Sequence, residues 1–256
     1  MSVLAGLAIG AIAMAQQPSG ATLTAEQTEL LETARLSALR YSKSLPDFLC
    51  TETIHRSEDP FDNGRWRPVD VLKVTVTFAG REDYKVTERN GVPTAVDYLL
   101  VGGAITAGEF GTRLEELFVP SSRAEFAWKG WSHVRRRRVA LYGYRVLTEN
   151  SRYLVTSGPS ASKATAVITG YHGEVAVDPE SGSIMRVSLI CDLPKGSVVT
   201  NCSSWTEYDY RDVAGRSYLL PVESLTSAGR DRYRASNRIE FHNYRKFQSE
   251  TSITFK

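Results

Sequence analysis

Alternation of apolar and polar side chains dominates this sequence. It is cleanest in residues 72–78, where every second side chain is apolar: Leu72, Val74, Val76 and Phe78. Side chains of a β-strand point alternately to its two faces, and a strand with one apolar face is typical of a half-buried antiparallel sheet. Similar runs recur at intervals of about 8–12 residues, which is the spacing of strands in sandwiches and barrels.

Residues 170–194 contain the clearest hairpin. Two apolar-rich runs, residues 175–177 and 184–190, flank residues 178–182, whose sequence Asp-Pro-Glu-Ser-Gly is typical of a tight turn. Similar strand and turn units lie on both sides of this hairpin, from residue 48 to a last predicted strand at residues 251–255. The sequence therefore predicts a mainly β fold, an antiparallel meander of about eleven strands.

Two segments have a helical period instead. Residues 24–44 begin with Thr24 and Gln27, the residue types of a capping box, and Leu45-Pro46 ends the helix. Residues 108–120 are shorter, and their apolar side chains also recur at helical spacing: Phe110, Leu114, Leu117 and Phe118. We expect an N-terminal helix packed on the sheet and a short amphipathic helix inserted in the meander.

The first 15 residues predict export. They are apolar, carry no charge and end in Ala-Met-Ala, the small-x-small pattern at which signal peptidase cuts. The segment is too short to span a bilayer, which takes about 20 residues. The usual positive charge at the start is missing, so a buried N-terminal helix is the alternative. We predict a signal peptide at 1–15, a linker at 16–23, a single domain at 24–256, and a periplasmic or secreted protein with no transmembrane segment in the mature chain.

The near balance of basic and acidic residues predicts that nucleic acid is not the partner. The chain has 31 Lys and Arg residues against 29 Asp and Glu residues, a formal net charge of +2, and the two signs are interspersed. Nucleic-acid-binding domains instead concentrate basic residues on one surface.

The three cysteines fit an oxidising compartment. Cys191 and Cys202 flank a short polar loop between two predicted strands, which favours a disulfide between them, and Cys50 is then expected to be a buried free thiol. The cysteines lack the CxxC spacing of zinc sites and the four histidines are scattered singly, so no metal site is predicted.

No catalytic motif is supported by its context. Ser160 and Lys163 have the S-x-x-K spacing of penicillin-interacting enzymes, but they lie in a predicted turn rather than at the start of a helix. No pair of carboxylates is recognisable as an acid and base couple. We predict a protein that is not an enzyme and that holds no cofactor.

Residues 135–138 are four consecutive arginines, the densest cluster of charge in the chain. In an extended strand, Arg135 and Arg137 share one face of the sheet. That pair predicts a site for an anionic head group or an acidic partner. The alternative is a solvated, charged edge, which protects a sheet against edge-to-edge pairing.

The order of elements resembles a known fold. A signal peptide, an N-terminal helix, a meander of about eleven strands and a short inserted helix are similar to the periplasmic lipoprotein-carrier fold (LolA/LolB-like). That resemblance implies an open half-barrel with a helical lid over its concave face, and it transfers no functional residue. The phrases LPDFLCTETIHR, GEFGTRLEELF, GYHGEVAVDPESGSIMRVSL, YLLPVES and FHNYRKFQSETSITF also resemble uncharacterised exported proteins of soil bacteria such as the Acidobacteria.

We expect a hydrophobic ligand, a lipid or acyl chain, beneath the inserted helix. A curved open sheet with a helical lid leaves an apolar space if side chains do not fill its concave side. The candidate lining residues are Leu72, Val74, Val76, Phe78, Phe110, Leu114, Phe118 and Trp128. The alternative is a filled core in an envelope protein that binds another protein through its outer face or sheet edge.

Overall fold

Thirteen strands and two helices make up the described part of the computed structural model, which covers residues 22–101, 104, 108–157 and 165–247. The helices are α1 (Ala25–Ser44) and α2 (Thr112–Phe118). The strands, in chain order, are β1 (Phe48–Asp59), β2 (Arg67–Phe78), β3 (Glu82–Arg89), β4 (Val92–Pro93), β5 (Glu125–Val134), β6 (Arg137–Val146), β7 (Leu154–Ser157), β8 (Thr165–Ile168), β9 (Gly170–Val177), β10 (Ile184–Asp192), β11 (Val199–Val213), β12 (Arg216–Arg230) and β13 (Tyr233–Lys246). The predicted signal peptide, the S-x-x-K residues Ser160 and Lys163, and the predicted strand at 251–255 lie outside the described residues.

Eleven of these strands form one antiparallel sheet in the order β4-β3-β2-β1-β13-β12-β11-β10-β9-β6-β5. The sheet is open, because its end strands β4 and β5 are not paired with each other. Strand β1 lies between β2 and β13, so the first and last strands join two meanders into a single sheet. Strands β7 and β8 form a separate two-stranded hairpin. The predicted antiparallel meander is confirmed.

Helix α1 packs on one face of the sheet, which we call the concave face. The predicted capping box is present: the Gln27 backbone N–H donates to Thr24 Oγ1 (3.2 Å), and the Thr24 N–H donates to Gln27 Oε1 (2.9 Å). The buried side of α1 consists of Ala34, Ala38 and Tyr41, and the Tyr41 hydroxyl donates to the Leu219 carbonyl (2.9 Å). Small alanine side chains let the helix lie close to the sheet. Neither described helix is long and apolar enough to span a membrane.

Helix α2 is shorter than the predicted segment 108–120. It has seven residues and is preceded by Gly108 and Gly111, whose φ values of 96° and 125° lie outside the helical region. Glycine adopts such values at low cost, so these residues form the bend into the helix. The buried side of α2 carries Leu114, Leu117 and Phe118, in agreement with the predicted amphipathic pattern.

The core has two main parts. One lies beneath α1 and α2, against the inner side chains of β6, β9, β10 and β11. The other lies between β1, β2, β3 and β13 and contains an aromatic group of Phe48, Phe78, Phe110 and Phe241. Both parts are on the concave face, so most of the sheet has its apolar residues on the side of the helices.

The four-arginine run does not form one extended strand. Arg135 and Arg136 are the two residues of the β5–β6 turn, with φ values of 45° and 70°, and Val134 pairs with Arg137 across that turn. A two-residue hairpin loop with both φ values positive matches the right-handed twist of the flanking strands. The prediction that the run is one extended strand, with Arg135 and Arg137 on the same face of the sheet, is therefore wrong.

Candidate functional site

The short helix α2 packs closely on the concave face and against helix α1. Its N-terminal neighbour Gly111 lies against α1, where a Cβ atom on residue 111 would be 2.8 Å from Ser42 Cβ and 3.0 Å from Tyr41 Cδ1. Side-chain atoms do not approach to 2.8 Å without displacement of one group, so only glycine fits here. The contact between α1 and α2 therefore depends on the missing side chain of Gly111.

Glu82 of β3 fixes the segment that enters α2. Its carboxylate accepts hydrogen bonds from the backbone N–H groups of Gly108 (2.8 Å) and Phe110 (3.1 Å) and from the Tyr84 hydroxyl (2.5 Å). On the other side of the same segment, the Tyr208 hydroxyl donates to the Glu109 carbonyl (2.9 Å). The path of residues 108–110 is thus held by polar contacts to two strands.

Ionisable side chains are buried where α2 meets the sheet. Glu52 projects from β1 into the concave face between Cys50 and Ile54, it is 1% exposed, and its Oε2 atom has no hydrogen-bond partner. Burial, followed by the nearby charges of Glu109 and Glu82, raises the pKa of Glu52 well above its usual value. Burial and Glu109 also raise the pKa of Glu82. The arrangement concentrates acidic groups in a region with little water.

Arg113 is the cation of this region and comes from α2 itself. Its guanidinium lies 3.8 Å from the Glu109 carboxylate and donates to Ser204 Oγ at 2.5 Å. Burial opposes its charge, but Glu109 and neighbouring tyrosines hold the pKa of Arg113 above its ordinary value. The short helix therefore inserts a charged group between itself and the sheet.

Two cavities adjoin α2. The inner one, of about 10 Å³, has room for about one water molecule and is lined by Arg113, Glu116, Leu117, Tyr144, Tyr153, Tyr171, Val187, Ser188, Leu189 and Ser204. The outer one, of about 140 Å³, is lined by Thr112, Glu115, Glu116, Val119, Ser121, Ser122, Asn150 and Arg152. Within the described residues, no three His, Cys, Asp or Glu side chains are grouped to hold a metal ion.

The predicted lining residues are divided between the two parts of the core. Leu72, Val74, Val76, Phe78 and Phe110 belong to the part around β1 and β2 and are at most 3% exposed. Leu114 and Phe118 are on the buried side of α2, and Trp128 is partly buried against Tyr142. None of these eight residues lines either cavity described above. In each part they pack against other side chains of the core. Their contact with a ligand stays a prediction.

The predicted anion-binding arginines both lie near acidic side chains. Arg135 Nε is 2.8 Å from Glu207 Oε2, and its Nη2 is 3.3 Å from Glu223 Oε2. Arg137 Nη1 is 4.0 Å from Asp178 Oδ2. These contacts leave each guanidinium partly neutralised within the protein.

All three cysteines are free thiols, so the predicted Cys191–Cys202 disulfide is not formed in this structure. The two thiols hydrogen-bond to each other, which raises the pKa of Cys191 and lowers that of Cys202. Strands β10 and β11 pair Ile190 with Ser203, a register that leads to Cys191 opposite Cys202. Directly opposed residues usually have Cβ atoms about 4.5–5.5 Å apart, whereas a disulfide needs about 3.5–4.5 Å. Cys50 is buried, and burial raises the pKa of its thiol.

Sequence reasoning missed the buried charges. The signal for Glu52 was present, because it occupies an inward position in the alternation of Phe48, Cys50 and Ile54. Glu109 and Arg113 have the i, i+4 spacing of a pair that shares one side of a helical turn. No pattern in the sequence indicates that Glu82 contacts residues 108 and 110.

We expect Glu52→Gln to stabilise the protein near neutral pH by about 1–3 kcal/mol, because it replaces a buried ionisable carboxyl group, whose Oε2 atom has no hydrogen-bond partner, with a group that cannot ionise. The pKa of Glu52 is higher in the folded than in the unfolded protein, so its stabilising contribution is present below the ordinary carboxyl pKa and is lost as pH rises through the folded pKa. Urea unfolding near pH 4 and near pH 7 should show a gain that grows with pH. Glu29→Gln on the exposed side of α1 is the control, and equal effects of the two variants would contradict the expectation.

Comparisons with known proteins give structural matches at low sequence identity. No family model matches the sequence, and no curated protein matches it. The chain is similar to a LolA superfamily protein from Nitrosomonas europaea, with a TM-score of 0.42 and 9% identity over 92% of this chain and 99% of that one. It is also similar to a putative outer membrane lipoprotein-sorting protein domain from Vibrio parahaemolyticus, with a TM-score of 0.45 and 10% identity over 88% and 95%. The expected open antiparallel sheet with two helices is confirmed by the strand order and the helices of the structure, and at this identity the likeness to known proteins concerns the fold alone.

Proposed function

We propose that the protein is a periplasmic, non-enzymatic binding protein for a hydrophobic ligand, a lipid or acyl chain, which enters between α2 and the concave face when α2 moves away. The observation that supports this function best is the way α2 packs on the concave face of the sheet. A seven-residue helix covers apolar side chains on the inner side of the sheet, and its Arg113 is buried together with Glu109 of the segment that precedes the helix.

Such a helix is suited to move. An isolated helix of seven residues is unstable in water, so α2 depends on its contacts with the sheet and α1. Those contacts include desolvated charges, which cost free energy that an apolar interface of the same area would not lose. Detachment of α2 hydrates Arg113 and Glu109 and partly offsets the loss of apolar contacts.

The inner cavity indicates where a ligand would first be accommodated. Its apolar lining, Leu117, Val187 and Leu189, is continuous with the core beneath α2. Three tyrosines and Ser204 also line this cavity. This space has room for only about one water molecule, so α2 must be displaced before an acyl chain fits.

The test uses Gly111→Ala, which should push α2 away from α1 because the new Cβ lies 2.8 Å from Ser42 Cβ. If α2 is the lid, this variant should bind a fluorescent fatty acid at least several-fold more tightly than the wild-type protein, measured by fluorescence titration. Gly91→Ala is the matched control, since Gly91 also has a positive φ (77°) but a Cβ there meets nothing within 4 Å. A binding curve unchanged by Gly111→Ala, or changed equally by Gly91→Ala, would contradict the lid.

The second candidate is an envelope interaction or scaffold protein with a filled core. The specific observation in its favour is the close packing of the predicted lining residues, with Val74 and Val76 both 0% exposed. Native mass spectrometry of protein purified from its own host separates the two functions. Co-purifying lipid supports the binding protein, whereas lipid-free protein that also fails to bind the fatty acid supports the scaffold.

A further inference from the structure

Strand β5 is a long sheet edge with an unpaired side. It has ten residues, it pairs with β6 on one side, and no other described strand pairs with it. The opposite end of the sheet is different, because β4 has only two residues and ends in Pro93. Short edge strands and proline protect a sheet from adding another strand. The β5 edge is neither short nor interrupted by proline, although its pairing with β6 shifts register between Trp128 and Gly130 and it carries the exposed Lys129.

The β5–β6 hairpin is also basic. Arg135 and Arg137 lie near acidic side chains, as described above, but among the described residues no carboxylate lies within 4 Å of Lys129, Arg136 or Arg138. All three of these side chains are exposed. The hairpin therefore presents three cationic groups that the described part of the protein does not neutralise.

An exposed aromatic group lies beside these charges. Trp131 of β5 is 50% exposed, its ring makes an edge contact with Trp128, and the Arg138 guanidinium lies 3.8 Å from its ring centroid. Tryptophan and arginine are the residue types that contribute most to binding at protein interfaces. Side chains of the types that are common in protein interfaces, Trp131 and Arg138, therefore lie beside the unpaired edge of β5.

We propose that β5 binds an acidic, extended segment of a partner protein, which adds to the sheet as a further strand. Backbone hydrogen bonds to β5 would supply affinity, and acidic side chains would select the partner through Lys129, Arg136 and Arg138. A second copy of this chain does not fit, because pairing of two β5 edges brings two basic hairpins together. An anionic membrane surface is the less suitable occupant, since lipid offers no partners in register for a row of backbone N–H and C=O groups.

The experiment measures fluorescence anisotropy of a labelled eight-residue peptide of alternating glutamate and valine. We expect saturable binding to the wild-type protein, and at least about tenfold weaker binding of the matching lysine and valine peptide. Two further probes carry N-methyl groups on all glutamates or on all valines, which blocks one edge or the other of the extended peptide. If a backbone ladder forms, at least one of these two probes should lose binding.

Protein variants locate the site. Arg136→Glu with Arg138→Glu should weaken binding of the acidic peptide by at least about tenfold, because two attractive charges become repulsive. Arg216→Glu with Arg232→Glu, at exposed positions of two other hairpins, is the matched control and should have no such effect. The proposal is overturned if the acidic peptide does not bind, if both N-methylated probes bind as well as the parent, or if the protein binds vesicles of anionic phospholipid but not the peptide.

Discussion

Replacement of Asp70 by alanine is expected to destabilise the fold by about 3–5 kcal/mol, as for other buried ion pairs that lose one member. The Asp70 carboxylate accepts hydrogen bonds from Arg56 Nε (2.5 Å), Arg56 Nη2 (2.6 Å) and Arg89 Nε (2.7 Å). The side chains of Asp70 and Arg56 are 1% and 6% exposed, so the variant leaves the Arg56 charge buried without its carboxylate. Urea unfolding near neutral pH measures the loss.

The pH dependence provides an independent check of Asp70. The Arg56 hydrogen bonds lower the pKa of Asp70 in the folded protein. Its stabilising effect is therefore present above the ordinary aspartate pKa and is lost as pH falls through the lower, folded value. Asp70→Ala should remove that part of the acid sensitivity. Glu32→Ala, which removes an exposed carboxylate paired with Arg35 on α1, should change stability only slightly, and a similarly small effect at Asp70 would show that the pair contributes little.

Gly173→Ala should prevent normal folding of the sheet or destabilise it by more than about 4 kcal/mol, the range seen when a core change cannot be accommodated. A Cβ atom on residue 173 of β9 would lie 1.9 Å from the Ser188 carbonyl oxygen and 3.0 Å from Tyr144 Oη. The Tyr144 hydroxyl donates to that same Ser188 carbonyl (2.6 Å). The missing side chain at 173 makes room for Tyr144 to cross β9 and reach β10.

The control for this substitution is another glycine within a strand. A Cβ on Gly229 of β12 would approach no atom closer than 3.2 Å, and its nearest neighbours are the side chains of Asn201 and Thr200. Side chains can shift where a backbone carbonyl in a paired strand cannot. Thermal unfolding monitored by circular dichroism should separate the two variants, and a Gly173→Ala protein as stable as Gly229→Ala would mean that β9 and β10 can move apart at low cost.

The periodicity of the sequence was sufficient to predict most of the framework. Residues 72–78 form the second half of β2, and all four of its predicted inward side chains are buried. Thr24 and Gln27 make the predicted capping box at the start of α1. The capping box is a contact between residues close in sequence, and the buried side of β2 corresponds to a regular apolar pattern. Both kinds of signal can be recognised in the sequence alone.

The site depended on contacts that no local pattern encodes. The Glu82 carboxylate accepts hydrogen bonds from the backbone of residues 108 and 110, which are far from it in the sequence. Arg113 donates a hydrogen bond to Ser204, which is on a strand much later in the chain. The two-residue turn at Arg135 and Arg136 was also not predicted, because arginine is uncommon at positive φ and the usual Asn-Gly signal is absent. The contacts of Glu82 and Arg113 join residues far apart in the sequence, whereas the turn is local but is formed by residue types that rarely occupy it.

The pairing of β1 with β13 has a consequence for how the protein acquires its structure. Residues such as Ile54 and Ile239, which are neighbours across these strands, come from near opposite ends of the described chain. Contacts between such distant residues close large loops and slow folding, so the two meanders should form before they join. A growing chain cannot complete the sheet until β13 has been synthesised. The edge of β1 that pairs with β13 therefore stays unpaired for almost the whole of synthesis.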